Sequence, residues 1–484
     1  MDNRRGTMER SFATIIRSAF GADPPLQVHA RGRRSGPDDA PTRLVVRREE
    51  ALAHLVRAPG ELGLARAYVS GALDIEGDLF GALRARATGD TIRLGTADRL
   101  RAFRQLGIDP WRHPPTVPPE EVDLGGRMGR HSMGRHSIGR DRRAISHHYD
   151  VGNQFYELLL GPSMVYSCAV FEDAADTLEQ AQFNKMELIC RKLGLRQGLR
   201  LLDVGCGWGS LVLHAARLHD VHAVGITLSA EQADYARLRV AAAGLGDRIE
   251  IRLCDYREMG SDRFDAISSV GMAEHVGRAR LGDYFTILRG LLRDQGRLLN
   301  HQIGIGPDPT RPAGTRTSRL GRDGFMNRYV FPDGELHDVG ELVAVAQEQQ
   351  LEVRHVESIR EHYALTARAW VANLEAGWER AVGLVGEGRA RVWRLYLVGS
   401  ALGFELGSTQ VHQVLAVRTP LAGTHRGRSG QPWRPLFERE PLSATRNPDQ
   451  ITDQITGQDP NRSGAGTQTD HRRVLVSGTG SELN

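Results

Sequence analysis

The stretch Leu199–Leu211, LRLLDVGCGWGSL, constrains the fold of this chain more than any other. Leu199, Leu201, Leu202 and Val204 form a short apolar run of buried-strand type that closes on Asp203-Val204. Gly205, Gly207 and Gly209 then alternate through a turn, and Ser210-Leu211-Val212 opens a helical pattern. Glycines at that spacing let the backbone approach a ligand closely, and the helix N-terminus behind them presents free N–H groups. A strand, a glycine turn and a helix in this order point to an α/β sheet with a ligand site outside the carboxyl ends of its strands.

Two common ligands of such a turn fit poorly. The dinucleotide fingerprint is G-x-G-x-x-G with an acid about twenty residues later. Here the third glycine comes one residue early, and the second strand, Val221–Ile226, runs into Thr227-Leu228-Ser229 without an acid. No Gly-Lys-Ser/Thr follows the loop, which excludes a Walker phosphate site. D-x-G-x-G-x-G is the usual first motif of S-adenosylmethionine methyltransferases, whose cofactor carries a carboxylate and an amine but no phosphate. Strands predicted at Leu199–Val204, Val221–Ile226, Ile249–Leu253, Phe264–Val270 and Gly296–Gln302 alternate with helical segments. That pattern predicts a Rossmann-like, mainly parallel doubly wound sheet. Asp203, Thr227, Asp255, Glu274 and His301 all fall at or just beyond strand ends.

The 484 residues leave room for more than this one domain. Residues 1–30 lack sustained periodicity and read as a flexible N-terminus, and 31–109 as a small accessory domain of short alternating and helical pieces. Residues 110–143 form a Pro-, Gly- and Arg-rich linker with an imperfect GRHSM/GRHSI repeat at Gly129–Ile138. Residues 144–420 are the methyltransferase-like domain, and the Gly/Ser/Thr-rich stretch 421–484 reads as a disordered tail. Arg127, Arg130, Arg135, Arg140, Arg142 and Arg143 concentrate positive charge in the linker. Two readings stand: a solvated flexible connector, or attraction to an anionic lipid surface at about 1 kcal/mol per basic residue. Nucleic acid fits less well, because no aromatic residues interleave with the arginines. Lys185 and Lys192 are the only lysines. Cys168, Cys190, Cys206 and Cys254 show no paired spacing, as expected of a reduced cytoplasmic protein. No apolar run reaches spanning length, so any membrane contact is expected to be peripheral.

The residues ahead of the glycine loop carry a family resemblance. His147-His148-Tyr149-Asp150-Val151-Gly152-Asn153-x-Phe155-Tyr156 and Met164–Ala169 resemble the cyclopropane-fatty-acyl-phospholipid synthase family, which includes the mycolic-acid cyclopropane synthases. The resemblance continues through LDVGCGWG (Leu202–Gly209), GITLSAEQ (Gly225–Gln232), GMAEHVG (Gly271–Gly277), FMNRYVFPDGEL (Phe325–Leu336) and HYALTARAW (His362–Trp370). It spans about residues 144 to 418, and Gly63–Leu79 resembles the accessory domain of longer bacterial members.

The resemblance implies cofactor contacts at Tyr166, Ser167, the loop with Asp203, Gly205, Gly207 and Gly209, Thr227 through Gln232, and Tyr256-Arg257. Thr227 and Gln232 offer neutral partners to ribose and tail, while Asp255 and Tyr256 are placed to bind and stack on adenine. Capping of the next helix by Thr227, and plain packing of Tyr256, stay open. In the family a bicarbonate ion takes the proton from a carbocation left by methyl transfer to a double bond. Its positions correspond to Cys168 and Ile303 through the backbone, and to Glu274, His301 and Tyr363. Glu274 then orients or protonates the anion, since two neighbouring anions repel unless they share a proton. Taken alone, Cys168 is a packing residue, His301 a core histidine and Glu274 a strand-end carboxylate. Ser400 stands where many relatives carry a cysteine, which excludes a cysteine nucleophile there. His147-His148 lacks a completing acid or cysteine at metal-ligand spacing, so no metal is expected.

The function implied is S-adenosylmethionine-dependent methylenation of the cis double bond of unsaturated phospholipid acyl chains, giving a cyclopropane. Proton loss after a hydride shift would instead give a methylene group, which a partner reductase would turn into a methyl branch. Two alternatives remain: a non-catalytic lipid-binding module, against which the intact site positions argue, and a small-molecule N- or O-methyltransferase, which would not need the anion site. The partners implied are lipid acyl chains at a membrane surface and, through the accessory domain, a second copy of the chain.

Overall fold

The structure is a computed structural model that describes residues 26–30, 33–58, 60–88, 115–122, 151–307, 317–319, 324–332 and 334–419. The linker arginines Arg127–Arg143, the His147–Asp150 end of the family motif and the 421–484 tail lie outside the described residues.

The N-terminal unit is a four-stranded sheet ordered β2-β1-β3-β4, from β1 (Leu26–Ala30), β2 (Arg33–Ser35), β3 (Thr42–Val46) and β4 (Leu73–Gly77). Helices α1 (Glu50–Arg57) and α2 (Glu61–Val69) connect β3 to β4, and α3 (Leu79–Thr88) follows. Leu26, Val28, Leu44, Leu73 and Ile75 are buried and pack with Leu64, Ala65 and Tyr68 of α2. Strand β1 lies inside the stretch read from sequence as a flexible N-terminus. Its parallel pairing with β3 buries Leu26 and Val28, so the unit starts earlier than residue 31. Residues 115–122, assigned to the linker, also hold a fixed place. Glu121 accepts hydrogen bonds from Arg66 at 2.7 and 2.6 Å and from the Tyr329 hydroxyl at 3.0 Å.

The larger unit begins with α4 (Asn153–Leu160) and α5 (Leu178–Leu193). Thr177 and Gln180 form a reciprocal capping box on α5, and Gly194 ends it at φ +63°. The strands are β5 (Arg200–Val204), β6 (His222–Thr227), β7 (Ile249–Leu253), β8 (Phe264–Val270), β9 (Leu292–Ile305), β10 (Thr317–Arg319), β11 (Glu335–His337), β12 (Leu351–Ser358) and β13 (Thr409–Arg418). The core order is β7-β6-β5-β8-β9, all parallel, and β13 inserts antiparallel between β9 and β12. Helices α6 (Ser210–His219), α7 (Ala230–Ala242), α8 (Ala273–Val276) and α9 (Leu281–Leu291) complete the crossovers. Beyond β9 come α10 (Phe325–Tyr329), α11 (Val339–Glu348), α12 (Arg360–Ala376), α13 (Trp378–Val385) and α14 (Glu387–Glu405).

The five parallel strands fall within a residue or two of the predicted runs, except β9. It extends to 14 residues because it has a hydrogen-bonded partner along both edges, β8 and β13. Arg391 of α14 joins the two units, donating to Asp74 at 3.2 and 3.4 Å and to the Tyr68 carbonyl at 3.3 Å. No helix among the described residues is long and apolar enough to cross a membrane.

Candidate active site

The glycine loop is pinned where β5 meets α6. The amides of Gly205 and Cys206 both donate to the Ile226 carbonyl, at 3.0 and 2.9 Å, which holds the loop against the end of β6. Gly207, at φ +53°, faces open space: a Cβ there would meet no atom within 4 Å. Gly205, at φ +79°, would press a Cβ to 2.8 Å from Met272. Gly209 serves packing instead, with its missing Cβ 3.1 Å from Ala236 on α7.

Tyr166, Ser167, Asp203, Gly205, Gly207, Thr227, Gln232, Asp255 and Tyr256 line one cleft above the ends of β5, β6 and β7. Arg257 lines an adjoining cleft with Asp255 and Tyr256. Thr227 donates to Gln232 at 2.8 Å, and it is Ser229 that caps α7, so the capping alternative for Thr227 falls away. The Asp255 carboxylate takes two guanidinium bonds and the backbone N–H of Arg257, at 2.7 to 2.9 Å, so a ligand here meets an acid–arginine pair. Tyr256 stands edge-on to Tyr284, ring centroids 5.3 Å apart, with the Arg257 guanidinium over its face. Tyr166 bonds the Tyr396 hydroxyl at 2.9 Å, between the rings of Trp370 and Trp393. Burial raises the Asp203 carboxyl to about 6, a rise that the Ser268 hydroxyl at 2.7 Å and nearby Lys185 temper.

A second group of polar atoms lies deeper. Glu274 of α8 accepts from the Ile303 N–H at 2.7 Å through Oε1, while its buried Oε2 has no partner. Burial pushes this carboxyl up to about 7. His301, two residues before Ile303 on β9, meets the Gln413 side-chain amide with Nδ1 at 3.2 Å, and its buried Nε2 has no partner. Burial, and after it Lys185 and Lys192, hold the His301 pKa well below that of a free imidazole. Cys168 turns its thiol away into the Ala169 and Ile359 carbonyls, at 3.2 and 3.6 Å, and burial keeps it protonated. The packing reading therefore holds for its side chain, leaving only its backbone to a ligand. The Thr366 and His362 side chains of α12 tie down the backbone just after it. Tyr363 of α12 stacks on Phe404 at 4.3 Å and packs, with Ile303, in the apolar cluster that contains Cys168.

Sequence reasoning missed Lys185. Fully buried on α5, it donates to the Ser167 hydroxyl at 3.0 Å, and burial lowers its pKa to about 8. It lies close enough to act on Asp203, Cys168 and His301 alike. The available signal was the survival of two lysines, seven residues apart, in an arginine-rich chain. Elsewhere, Cys190, His214 and His219 bring potential metal ligands within 4.8 Å of one another. There Glu187 accepts from both imidazoles, at 3.2 and 2.9 Å, and from Arg191 at 2.7 Å, a hydrogen-bond network that occupies the imidazole Nε2 atoms.

A glycine-lined cleft at strand ends beside a buried acid and histidine is what the sequence resemblance implies, and residues 136–414 match the mycolic acid cyclopropane synthetase family. The chain belongs to that family. It is 43% identical over 439 residues to a probable fatty acid methyltransferase, Rv3720, of Mycobacterium tuberculosis, covering 88% of this chain and 98% of that protein. The cyclopropane-fatty-acyl-phospholipid synthase of Escherichia coli K12 is 37% identical over 271 residues, 56% of this chain and 66% of that one. The solved structure of mycolic acid cyclopropane synthase CmaA1 with SAH and CTAB is 32% identical. It superposes with a TM-score of 0.53 over 57% of this chain and 98% of its own. This cyclopropane synthetase relative is thus a class I methyltransferase of the fatty acid and cyclopropane synthase type, with S-adenosylmethionine as cofactor. The open face of Gly207 and the neutral Thr227–Gln232 pair suit that cofactor's uncharged ribose and close backbone approach.

Proposed function

We propose that this chain methylenates the cis double bond of unsaturated acyl chains carried by phospholipids, forming a cyclopropane with bicarbonate as the base. The buried pair Glu274 Oε2 and His301 Nε2, both without partners, carries this reading. Buried polar groups are almost always hydrogen-bonded, and two such orphans, one on the carboxylate that holds the Ile303 N–H and one two residues before Ile303 on β9, call for a small polar ligand. Transfer to a nitrogen or oxygen lone pair can release its proton to water, whereas a carbocation walled off from water needs a proton acceptor held beside it. The resemblance to a phospholipid-modifying synthase supports the lipid-borne substrate.

The cofactor supplies an electrophilic methyl group, and bicarbonate supplies a proton acceptor. The protein does the rest. Gly205 and Gly207 would let the methionine moiety lie against backbone, and Asp203, Thr227, Gln232, Asp255, Tyr256 and Arg257 would hold the remainder. Tyr166, with Trp370 and Trp393, walls the reacting carbon from water, which keeps the cation from being hydrated. His301 Nε2 and the Tyr363 hydroxyl would donate to the anion. Glu274, raised to about 7 by burial, would share a proton with it, so that two negative charges do not face each other. The linker arginines and the N-terminal unit bring the site to an anionic membrane, and no metal takes part.

The test is turnover of oleoyl phospholipid vesicles in carbonate-free buffer. Activity is expected to fall and to recover on adding bicarbonate. Glu274→Gln and His301→Ala are expected to lose turnover while binding S-adenosylhomocysteine as the wild type does. Near wild-type turnover in both variants overturns the anion site.

A further inference from the structure

Strand register sets three polar residues in one row behind the anion site. Glu357 of β12 pairs with Gln413 of β13, and Gln413 pairs with His301 of β9. Cross-strand partners share a face of the sheet, and on this face lies α5 with its two lysines. Lys192, fully buried, reaches down from α5, ion-pairs with Glu357 and donates to the Gln413 Oε1 at 2.7 Å. The other end of the same amide, Nε2, meets His301 Nδ1 at 3.2 Å.

This arrangement leaves little freedom. An ammonium has only donors and an amide has one of each kind. Turning the Gln413 amide over would face its NH2 against the lysine donors, so Lys192 dictates which end His301 sees. His301 therefore meets a donor, and its Nδ1 has to be the acceptor. In a neutral imidazole the proton is then on Nε2, the atom that is buried and unpartnered. Lys185, bonded to Ser167 on the near side, adds a second positive charge that disfavours imidazolium.

We infer that Lys192 and Gln413 are positioning residues that lock His301 as its Nε2–H tautomer, so that His301 gives the reaction's anion a hydrogen-bond donor and never serves as the base. The inference rests on the anion site proposed above, but the tautomer is measurable without it. A merely structural role for the row, as a polar tie across β12, β13 and β9, makes no demand on where the imidazole proton sits.

Imidazole 15N spectra of the full chain labelled at histidine decide the matter, with the His301 signals assigned by their loss in His301→Gln. The expected spectrum shows protonated Nε2 and unprotonated Nδ1; protonated Nδ1 overturns the inference. In Gln413→Glu an acceptor replaces the donor, and the salt bridge to Lys192 keeps the row together. His301 is then expected to carry its proton on Nδ1. The bicarbonate concentration for half-maximal turnover should rise about 10- to 100-fold, as for loss of one donor to a charged group. S-adenosylhomocysteine binding should persist, which shows that the variant folds. Gln413→Glu with an unchanged tautomer and unchanged bicarbonate response also overturns the relay. An Nε2–H signal in a wild type whose turnover ignores bicarbonate upholds the relay and removes the anion reading instead.

Discussion

Glu274→Gln isolates the energetic cost of a buried carboxylate. The glutamine oxygen keeps the 2.7 Å bond from Ile303 N–H, and its amide occupies the place of the unpartnered Oε2, so shape and packing are unchanged. Burial raises the folded-state pKa from 4.5 to about 7. When the folded value of an acid lies above its unfolded value, its contribution to stability is complete below the unfolded pKa. It is lost as pH rises through the folded one. By pH 8 Glu274 is ionised in both states, and at about 1.4 kcal/mol per pH unit the separation costs about 3 kcal/mol. Some of that loss has already occurred at pH 5. Urea unfolding of the cofactor-free proteins at pH 5 and pH 8 is therefore expected to show the wild type losing roughly 2 to 3 kcal/mol more than the variant. Asp203 and Lys185 titrate in both proteins and drop out of the difference. Parallel pH profiles for the two proteins would refute the argument that this carboxyl is buried and unneutralised.

Three other outcomes follow from the same geometry. Gly207→Val places a branched side chain at φ +53° over the open face of the loop, and isothermal titration should show S-adenosylhomocysteine affinity lost with the fold retained; undiminished affinity contradicts the loop's role. Arg391→Met removes the charged bonds to Asp74 and the Tyr68 carbonyl, which should lower stability by about 2 kcal/mol, read as a reduced urea midpoint at unchanged slope. An unchanged midpoint would show that this pair does not hold the N-terminal unit. Replacing Arg130, Arg135, Arg140, Arg142 and Arg143 with serine should weaken co-sedimentation with anionic vesicles. The wild type's binding should fall steeply with salt, because exposed charges are screened beyond about 10 Å at 0.1 M. Equal, salt-insensitive binding by both proteins assigns the linker to a plain connector.

The parallel half of the sheet was legible because its strands are short apolar runs and the glycine turn marks where the first one ends. The antiparallel additions were harder to see. In β13, TQVHQVLAVR, the buried His412 and Gln413 interrupt the apolar pattern, and β12 is half-exposed along most of its length. Strand β1 is five residues beside a stretch without periodicity, and only its pairing with β3 shows why Leu26 and Val28 are apolar. At the site, Glu274, His301 and Tyr363 could be picked out through the family motifs. Lys185, Lys192 and Gln413 could not, since a polar residue on a helix or strand ordinarily reads as solvated. Their meaning comes from register and burial, which set Glu357, Gln413 and His301 side by side under α5. Cys168 shows the converse: the motif singled out a side chain, and the fold turns its thiol into packing.

Every role assigned to the site depends on the methyl group going to the carbons of an acyl double bond. The direct measurement is mass spectrometry of oleoyl phospholipid incubated with the full chain, bicarbonate and cofactor labelled in its methyl group. Label is expected in the acyl chain as one added CH2 group, with the double bond replaced by a ring that survives catalytic hydrogenation under mild conditions. Label in the acyl chain as a readily hydrogenated methylene branch would keep the methyl transfer and correct the product. Label confined to the headgroup, or absent from lipid altogether, would rule out acyl double-bond methylation.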